Sequence, residues 1–192
     1  MIGDKKQKGF TLVEMLITAV VFSIIFGAAT SVFVSAFKIQ KYNVSQQQLL
    51  DQSSYAIEYM ARALRMAKSG GSVACTNGAN YKISNGGAQI NFVDYRGDCQ
   101  GFFWESSSNQ LKVSQIKVYD DDGSVAKIIN NVPLTSSRYQ INNLKFSIQG
   151  DAAGDNLQPR VIFFMDIQDK LLSPNKPRIK METAVSQRNL DE

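Results

Sequence analysis

The sequence predicts an α+β fold in which one long N-terminal helix, apolar in its first half and amphipathic in its second, packs on an antiparallel β-sheet domain. Three observations predict it. Met15 to Phe37 is a run of 23 residues without a charge. No glycine or proline occurs between Ala28 and Ser69. From Tyr81 onward, short stretches alternate apolar with polar residues and are separated by turn signals.

The apolar run comes first. At a rise of about 1.5 Å per residue it spans roughly 35 Å, enough to cross a hydrocarbon core of about 30 Å. Leu, Ile, Val, Phe and Ala occupy every face of it, which suits lipid or complete burial rather than a one-sided helix. Gly27 is its only breaker. Lys5, Lys6 and Lys8, against Asp4, precede it, so the positive-inside bias places the N-terminus in the cytoplasm and the chain after Phe37 outside it. A secretory signal cut near Gly27-Ala28-Ala29 is the alternative. Against it, the run exceeds the usual apolar region of about 7–15 residues, and Glu14 interrupts its start.

After Phe37, Ile39, Tyr42, Leu49, Ile57, Met60, Leu64 and Ala67 recur at helical spacing among polar residues. The same helix therefore leaves the membrane with one apolar stripe, which is core, and Gly70-Gly71 ends it. The predicted helix covers Phe10 to Ser69, roughly 90 Å. Behind it, "AQINFVDY", "GFFWE", "NQLKVSQIKVY", "SVAKIIN", "YQINNLKFSIQ" and "RVIFFMDIQ" read as strands, with a hairpin turn at Asp122-Gly123. "PRIKMETAVSQRN" reads as a last strand laddered on Arg160 to Gln168. The expectation is one antiparallel sheet of about five to eight strands against the second half of the helix. Ser69–Asn80 and "GDAAGDNLQP" read as exposed loops.

The charge and residue inventory narrows the function. The net charge is +4, about half of it from the first nine residues, so the remainder is nearly balanced and argues against a nucleic-acid surface. There is no histidine, which removes the commonest metal ligand and general base. With no nucleophile motif or phosphate loop either, no enzyme activity, cofactor or metal is expected. Asp120-Asp121-Asp122 is consecutive rather than alternating and lacks a glutamate at the twelfth position, so a solvated turn is expected rather than a calcium loop. Phe102-Phe103-Trp104 is expected in a core strand rather than an exposed patch. Lys176, Arg178 and Lys180 are expected on a solvated strand face rather than against DNA or headgroups. Cys75 and Cys99 form no CxxC. Beyond the membrane both face an oxidising compartment, where a bridge closing a loop of about 25 residues contributes roughly 3 kcal/mol. Two reduced thiols are the alternative in a bacterium that lacks periplasmic oxidation.

Gly9-Phe10-Thr11-Leu12-Val13-Glu14-Met15-Leu16, behind a short basic leader and directly before the apolar run, resembles the processing site of type IV pilins and type II secretion pseudopilins. The resemblance implies a pilin-like fold. Its segments are a cytoplasmic leader at 1–9, a transmembrane and assembly helix at 10–37, an amphipathic helix at 38–69 and a β-sheet domain at 70–192. It implies cleavage between Gly9 and Phe10 by a prepilin peptidase and N-methylation of Phe10. It also implies a single pass of the inner membrane with the domain in the periplasm or extracytoplasmic space. The helix would lie in lipid first, then pack with other pilins or pseudopilins at an inner-membrane assembly platform.

Glu14 acquires a role in this picture. A carboxylate inside a bilayer costs up to about 3 kcal/mol. Cleavage creates an α-amine on Phe10, and a neighbour shifted along the helix axis can offer that amine to Glu14 in a low-dielectric setting. Two local alternatives are that Glu14 reaches the headgroups, or pairs with its own Phe10 amine one turn away. Many major pilins carry a kinking proline in mid-segment and this chain has none, which leans toward a minor subunit. "LKFSIQG", a loop with Pro159, a hydrophobic strand and a closing "SQRN" resemble the J-type minor pseudopilin of type II secretion and the W-type minor pilin. The implied function is a structural minor subunit in a priming or tip complex. The alternatives are a membrane-anchored binding protein that does not polymerise and a competence pseudopilin for DNA uptake.

Overall fold

Thr11 opens the long helix. A computed structural model describes residues 9–68, 73–116, 128–150, 157–171 and 176–188. In it the Thr11 hydroxyl accepts the Glu14 N–H at 3.3 Å, and the Thr11 carbonyl accepts the Met15 N–H at 3.2 Å. Helix α1 follows as Leu12–Arg65, a little shorter than the Phe10–Ser69 expected. At its start the reason is this N-cap. At its end the reason is tertiary, and the Gly70-Gly71 stop lies outside the described residues. The Tyr81 hydroxyl donates to the Leu64 carbonyl at 2.7 Å, and the Arg188 N–H donates to the Arg65 carbonyl at 2.8 Å. The Gln187 side-chain amide donates to the Ala67 carbonyl at 2.9 Å. Groups from the β-structure thus satisfy the orphan carbonyls that a C′ glycine would otherwise serve.

The chain divides into two compact units, Met1–Asn43 and Val44–Glu192. The first contains the apolar part of α1. In the second, α1 buries Ser45, Leu49, Ser53, Ala56, Met60 and Leu64, with Ala67 just beyond the helix. Leu49, Met60, Leu64 and Ala67 belong to the stripe read from the sequence, and Ile57 packs at its margin. Ile39 does not belong to it; it is 61% exposed and lies in the first unit. Two serines complete the stripe. Ser53 returns its hydroxyl to the Leu49 carbonyl at 2.6 Å, which removes the cost of burying it.

Among the described residues a short helix α2 (Val73–Thr76) leads into eight strands, β1(Tyr81–Ser84), β2(Gln89–Val93), β3(Cys99–Glu105), β4(Gln110–Ile116), β5(Ile128–Pro133), β6(Tyr139–Gln149), β7(Arg160–Asp169) and β8(Arg178–Ser186). They form two antiparallel meanders, β1-β2-β3-β4-β5 and β6-β7-β8, where one sheet was expected. The break has a local cause. Pro133, which has no N–H, ends β5. The chain then crosses the edge of β4, where the Thr135 hydroxyl accepts the Leu111 N–H at 3.1 Å and the Thr135 carbonyl accepts the Gln110 side-chain amide at 2.9 Å. β4 and β5 pair as the hairpin reading requires, although the Asp122-Gly123 turn lies outside the described residues. β8 ladders on β7 from Arg160↔Ser186 to Gln168↔Arg178.

One core joins helix and sheets. Leu49, Ala56, Met60 and Leu64 of α1 meet Ile90, Phe92, Phe102 and Leu111 of the first sheet. Ile141, Phe146, Phe163, Met165 and Ile167 of the second sheet complete it. Phe92 and Phe102 lie 5.6 Å apart between ring centroids, and Phe146 and Phe163 lie 5.9 Å apart. Phe102 is fully buried and Trp104 packs at the margin of the same core. Phe103 points to the opposite face of β3, as strand alternation requires. Gly101, between Gln100 and Phe102, is held to glycine by crowding: a Cβ there would run into the Asn91 side chain and the Ile90 carbonyl. On that face a disulfide joins Cys75 of α2 to Cys99 of β3, with Cα atoms 5.7 Å apart.

Among the described residues Asp169 is a heavily coordinated group. It is completely buried and sits opposite the entry of α1 into the core. Its Oδ2 accepts the Ser45 hydroxyl at 2.6 Å and two Arg138 N–H groups at 2.8 and 3.0 Å, while its Oδ1 accepts the Leu171 N–H at 2.7 Å. Arg138 also donates to the Gln48 side chain at 2.6 Å. Burial alone would raise the Asp169 carboxyl, but the Ser45 hydroxyl, the Leu171 N–H and the Arg138 guanidinium hold it below its ordinary value of 3.8. Asp166 is also held below 3.8, chiefly by Arg178, which donates to it through Nε at 2.8 Å.

The Asp169 network and the disulfide each carry testable consequences. A carboxyl with a lower pKa in the folded than in the unfolded chain contributes stability that is complete above the unfolded value and is lost as pH falls through the folded one. The urea midpoint is therefore expected to hold from pH 7 to 5 and to fall below about pH 4. Asp169→Ala is expected to cost about 3 kcal/mol at neutral pH and to flatten that acid limb, because it strands Arg138 without its carboxylate. Replacing Cys75 and Cys99 together by serine is expected to lower stability by about 3 kcal/mol. Thiol titration of the unreduced, urea-unfolded chain should find no free thiol.

Candidate functional site

The segment from Gly9 to Phe37 carries the candidate site. Helix α1 is long and apolar enough to cross a membrane. Its apolar side chains are open on every side: Phe10 is 74% exposed, and Leu12, Phe22, Ile24 and Phe33 are similarly uncovered. Hydroxyl groups inside the run are satisfied within the helix. Thr18, Ser23, Thr30, Ser31 and Ser35 each donate to a carbonyl three or four residues back, at 2.8–3.0 Å. Hydrocarbon tolerates polar groups on those terms.

Glu14 differs from them. It lies in the first turn of α1, where a negative charge faces the positive end of the helix dipole. Its backbone N–H is taken by Thr11, but its carboxylate is exposed and accepts no hydrogen bond or ion pair among the described residues. Thr11 is the residue that the sequence reading passed over, and Thr11-x-x-Glu14 is a capping-box spacing that could have found it. Only half of the box is made here, from the Thr11 hydroxyl to the Glu14 N–H. The Glu14 side chain is left over.

Gly9 and Phe10 precede the helix. A Cβ on Gly9 would meet nothing within 4 Å, so nothing in the described chain around it demands glycine. The same holds for Gly27. Cys75 and Cys99 are brought together by the β domain, while Gly9, Phe10 and Glu14 lie together in the first unit. Arg178 and Lys180 meet one buried acid: Arg178 is bonded to Asp166, and Lys180 sits opposite Asp166 in the β7–β8 register. Lys176 is exposed and precedes the strand. Asp120-Asp121-Asp122 lies outside the described residues. Among the described residues no three acidic, cysteine or histidine side chains converge as a metal site.

Comparison with known proteins adds one match. Residues 4–30 fit the family model described as the prokaryotic N-terminal methylation motif. No curated protein and no solved structure matches the chain. The match and the apolar helix are consistent with a membrane-anchored pilin. This chain therefore carries a prokaryotic N-terminal methylation motif over residues 4–30, running from the basic leader into its apolar helix, which supports a place in the type IV pilin and pseudopilin superfamily.

Proposed function

We propose that the protein is a structural, non-enzymatic minor subunit of a type II secretion pseudopilus or a type IV pilus. It is inserted as a precursor with its N-terminus in the cytoplasm, cut between Gly9 and Phe10 and methylated on Phe10. It then packs through the first half of α1 among the helices of other subunits, in a priming or tip complex. The subunit type proposed is a J-type pseudopilin or a W-type pilin, on the resemblance of "LKFSIQG", the loop with Pro159 and the closing "SQRN".

Glu14 carries this reading. Its carboxylate lies at the start of an otherwise apolar span and has no partner among the described residues. A new α-amine, with an ordinary pKa near 8, is cationic at neutral pH and is the charge that cleavage supplies. Pairing it with Glu14 of a neighbour relieves two isolated charges at once in a medium where isolation is costly. Gly9 supports the same reading. Its side chain is a hydrogen although a larger one would fit, which suits a demand imposed from outside, such as the cleft of a peptidase. The long exposed apolar surface of α1 needs lipid or other helices to cover it.

Three outcomes are expected. Mass spectrometry of the mature chain should find N-methylated Phe10 as the first residue; an intact Met1, or a start near Ala29, sinks the proposal. Gly9→Val should accumulate as uncut precursor while the domain retains its disulfide and its melting temperature. Glu14→Ala should still be cut and inserted but should be missing from sheared filaments or from crosslinked complexes with other subunits. Normal co-assembly of that variant would leave Glu14 without the role given to it.

A further inference from the structure

An elongated groove runs beside the last two turns of α1, within the second unit. It consists of two adjoining cavities of about 360 and 210 Å³ that share Met66 and Tyr95. Gln100 and Gln115, direct partners across β3 and β4, face the smaller one. Gln100 is only 7% exposed, yet its side-chain amide makes no hydrogen bond among the described residues. That amide opens onto the smaller cavity, where an entering group can pair with it. Gln115 reaches the carboxylates of Asp94 and Asp98 only at 3.4 Å each.

The rim has a different character. Lys68, Arg96 and Arg188 line the groove and have no carboxylate partner among the described residues. Their backbones are fixed: the Lys68 N–H donates to the Val93 carbonyl at 2.9 Å, and the Arg188 N–H to the Arg65 carbonyl at 2.8 Å. Arg96 stacks 5.1 Å from the Tyr95 ring centre and donates to its hydroxyl at 2.7 Å. Between the cations lie Tyr59, Met66 and Tyr95, which are 39%, 38% and 53% exposed. Tyrosine, arginine and methionine are the types enriched where protein interfaces bury their centres.

We propose that this groove binds an extended acidic peptide segment of a partner protein. Carboxylates of the segment engage Lys68, Arg96 and Arg188, and an apolar side chain lies on Met66 and Tyr95. A backbone peptide group, donor and acceptor at once, pairs with the Gln100 amide, which is its chemical complement. Assigning the segment to a neighbouring subunit rests on the filament reading; the groove itself does not.

The test is fluorescence anisotropy on the full chain in nanodiscs of neutral lipid, with a fluorescein-labelled Glu-Asp-Leu-Asp-Glu peptide as probe. Saturable binding is expected, and the amide analogue Gln-Asn-Leu-Asn-Gln should not bind. Lys68→Glu with Arg96→Glu should weaken binding roughly tenfold, while Lys180→Glu on β8 should leave it unchanged. Gln100→Leu should weaken it several-fold with no loss of melting temperature, since no internal bond is removed. No saturable binding, equal loss with Lys180→Glu, or displacement of the probe by an equal concentration of oligothymidylate would overturn the inference. A chain with methylated Phe10 that binds no peptide overturns the groove alone. Peptide binding by a chain whose mature terminus is unmethylated overturns the filament reading and upholds the groove.

Discussion

One helix has to satisfy two surroundings, and the second holds only through a narrow seam. Between Ser45 and Ala67 the buried positions are spaced by four, four, three, four, four and three residues. That is about 3.7 residues per turn, close to the α-helical period, so one stripe of the helix faces the sheets throughout. Small side chains at Ser45, Ser53 and Ala56 allow close approach, and Leu49, Met60 and Leu64 fill the space between the two meanders. The rest of the domain is arranged around this seam. Asp169 ties its beginning, and Tyr81, Gln187 and Arg188 tie its end.

The carboxylates of the chain show how much their setting matters. Asp169 is fully buried and stays charged because four N–H and O–H donors converge on it. Asp166 is nearly as buried and relies on one two-pronged arginine. Among the described residues Glu14 has only the helix dipole near it. The first two are complete within the fold, whereas Glu14 has no cationic partner among the described residues. A stability argument explains the aspartates. The association proposed above is what gives the glutamate a reason.

Much of this architecture could be read from residue order. Seven of the eight strands announce themselves by apolar alternation, and the β7–β8 ladder follows from two matched runs. The pairing of Cys75 with Cys99 is the one that two cysteines in a single chain allow. What escaped the sequence depends on partners far along the chain. Gly70-Gly71 looked like the helix stop, but the carbonyls of Leu64 and Ala67 are claimed by Tyr81, 17 residues on, and by Gln187, 120 residues on. Ser45 and Ser53 read as polar although they are core, because their bonding partners are invisible in a linear pattern. Ile39 reads as core although it is exposed, because apolar character alone does not say which unit a helical turn belongs to. The Gln100–Gln115 neighbourhood depends on the β3–β4 register, which no composition reveals.

The cap on α1 also bears on when the domain can form. Gln187 lies 120 residues beyond the carbonyl it satisfies, and Arg188 follows it immediately. During synthesis the N-terminal helix emerges first, yet two of the three groups that finish its C-terminal end emerge about 120 residues later. Closing so long a loop is entropically slow, so the domain cannot settle until Gln187 and Arg188 have been made. A first segment long and apolar enough to cross a membrane is thus complete well before the domain can fold. A chain stopped before Gln187 keeps that segment but leaves the end of the helix with the Tyr81 tie alone of the three.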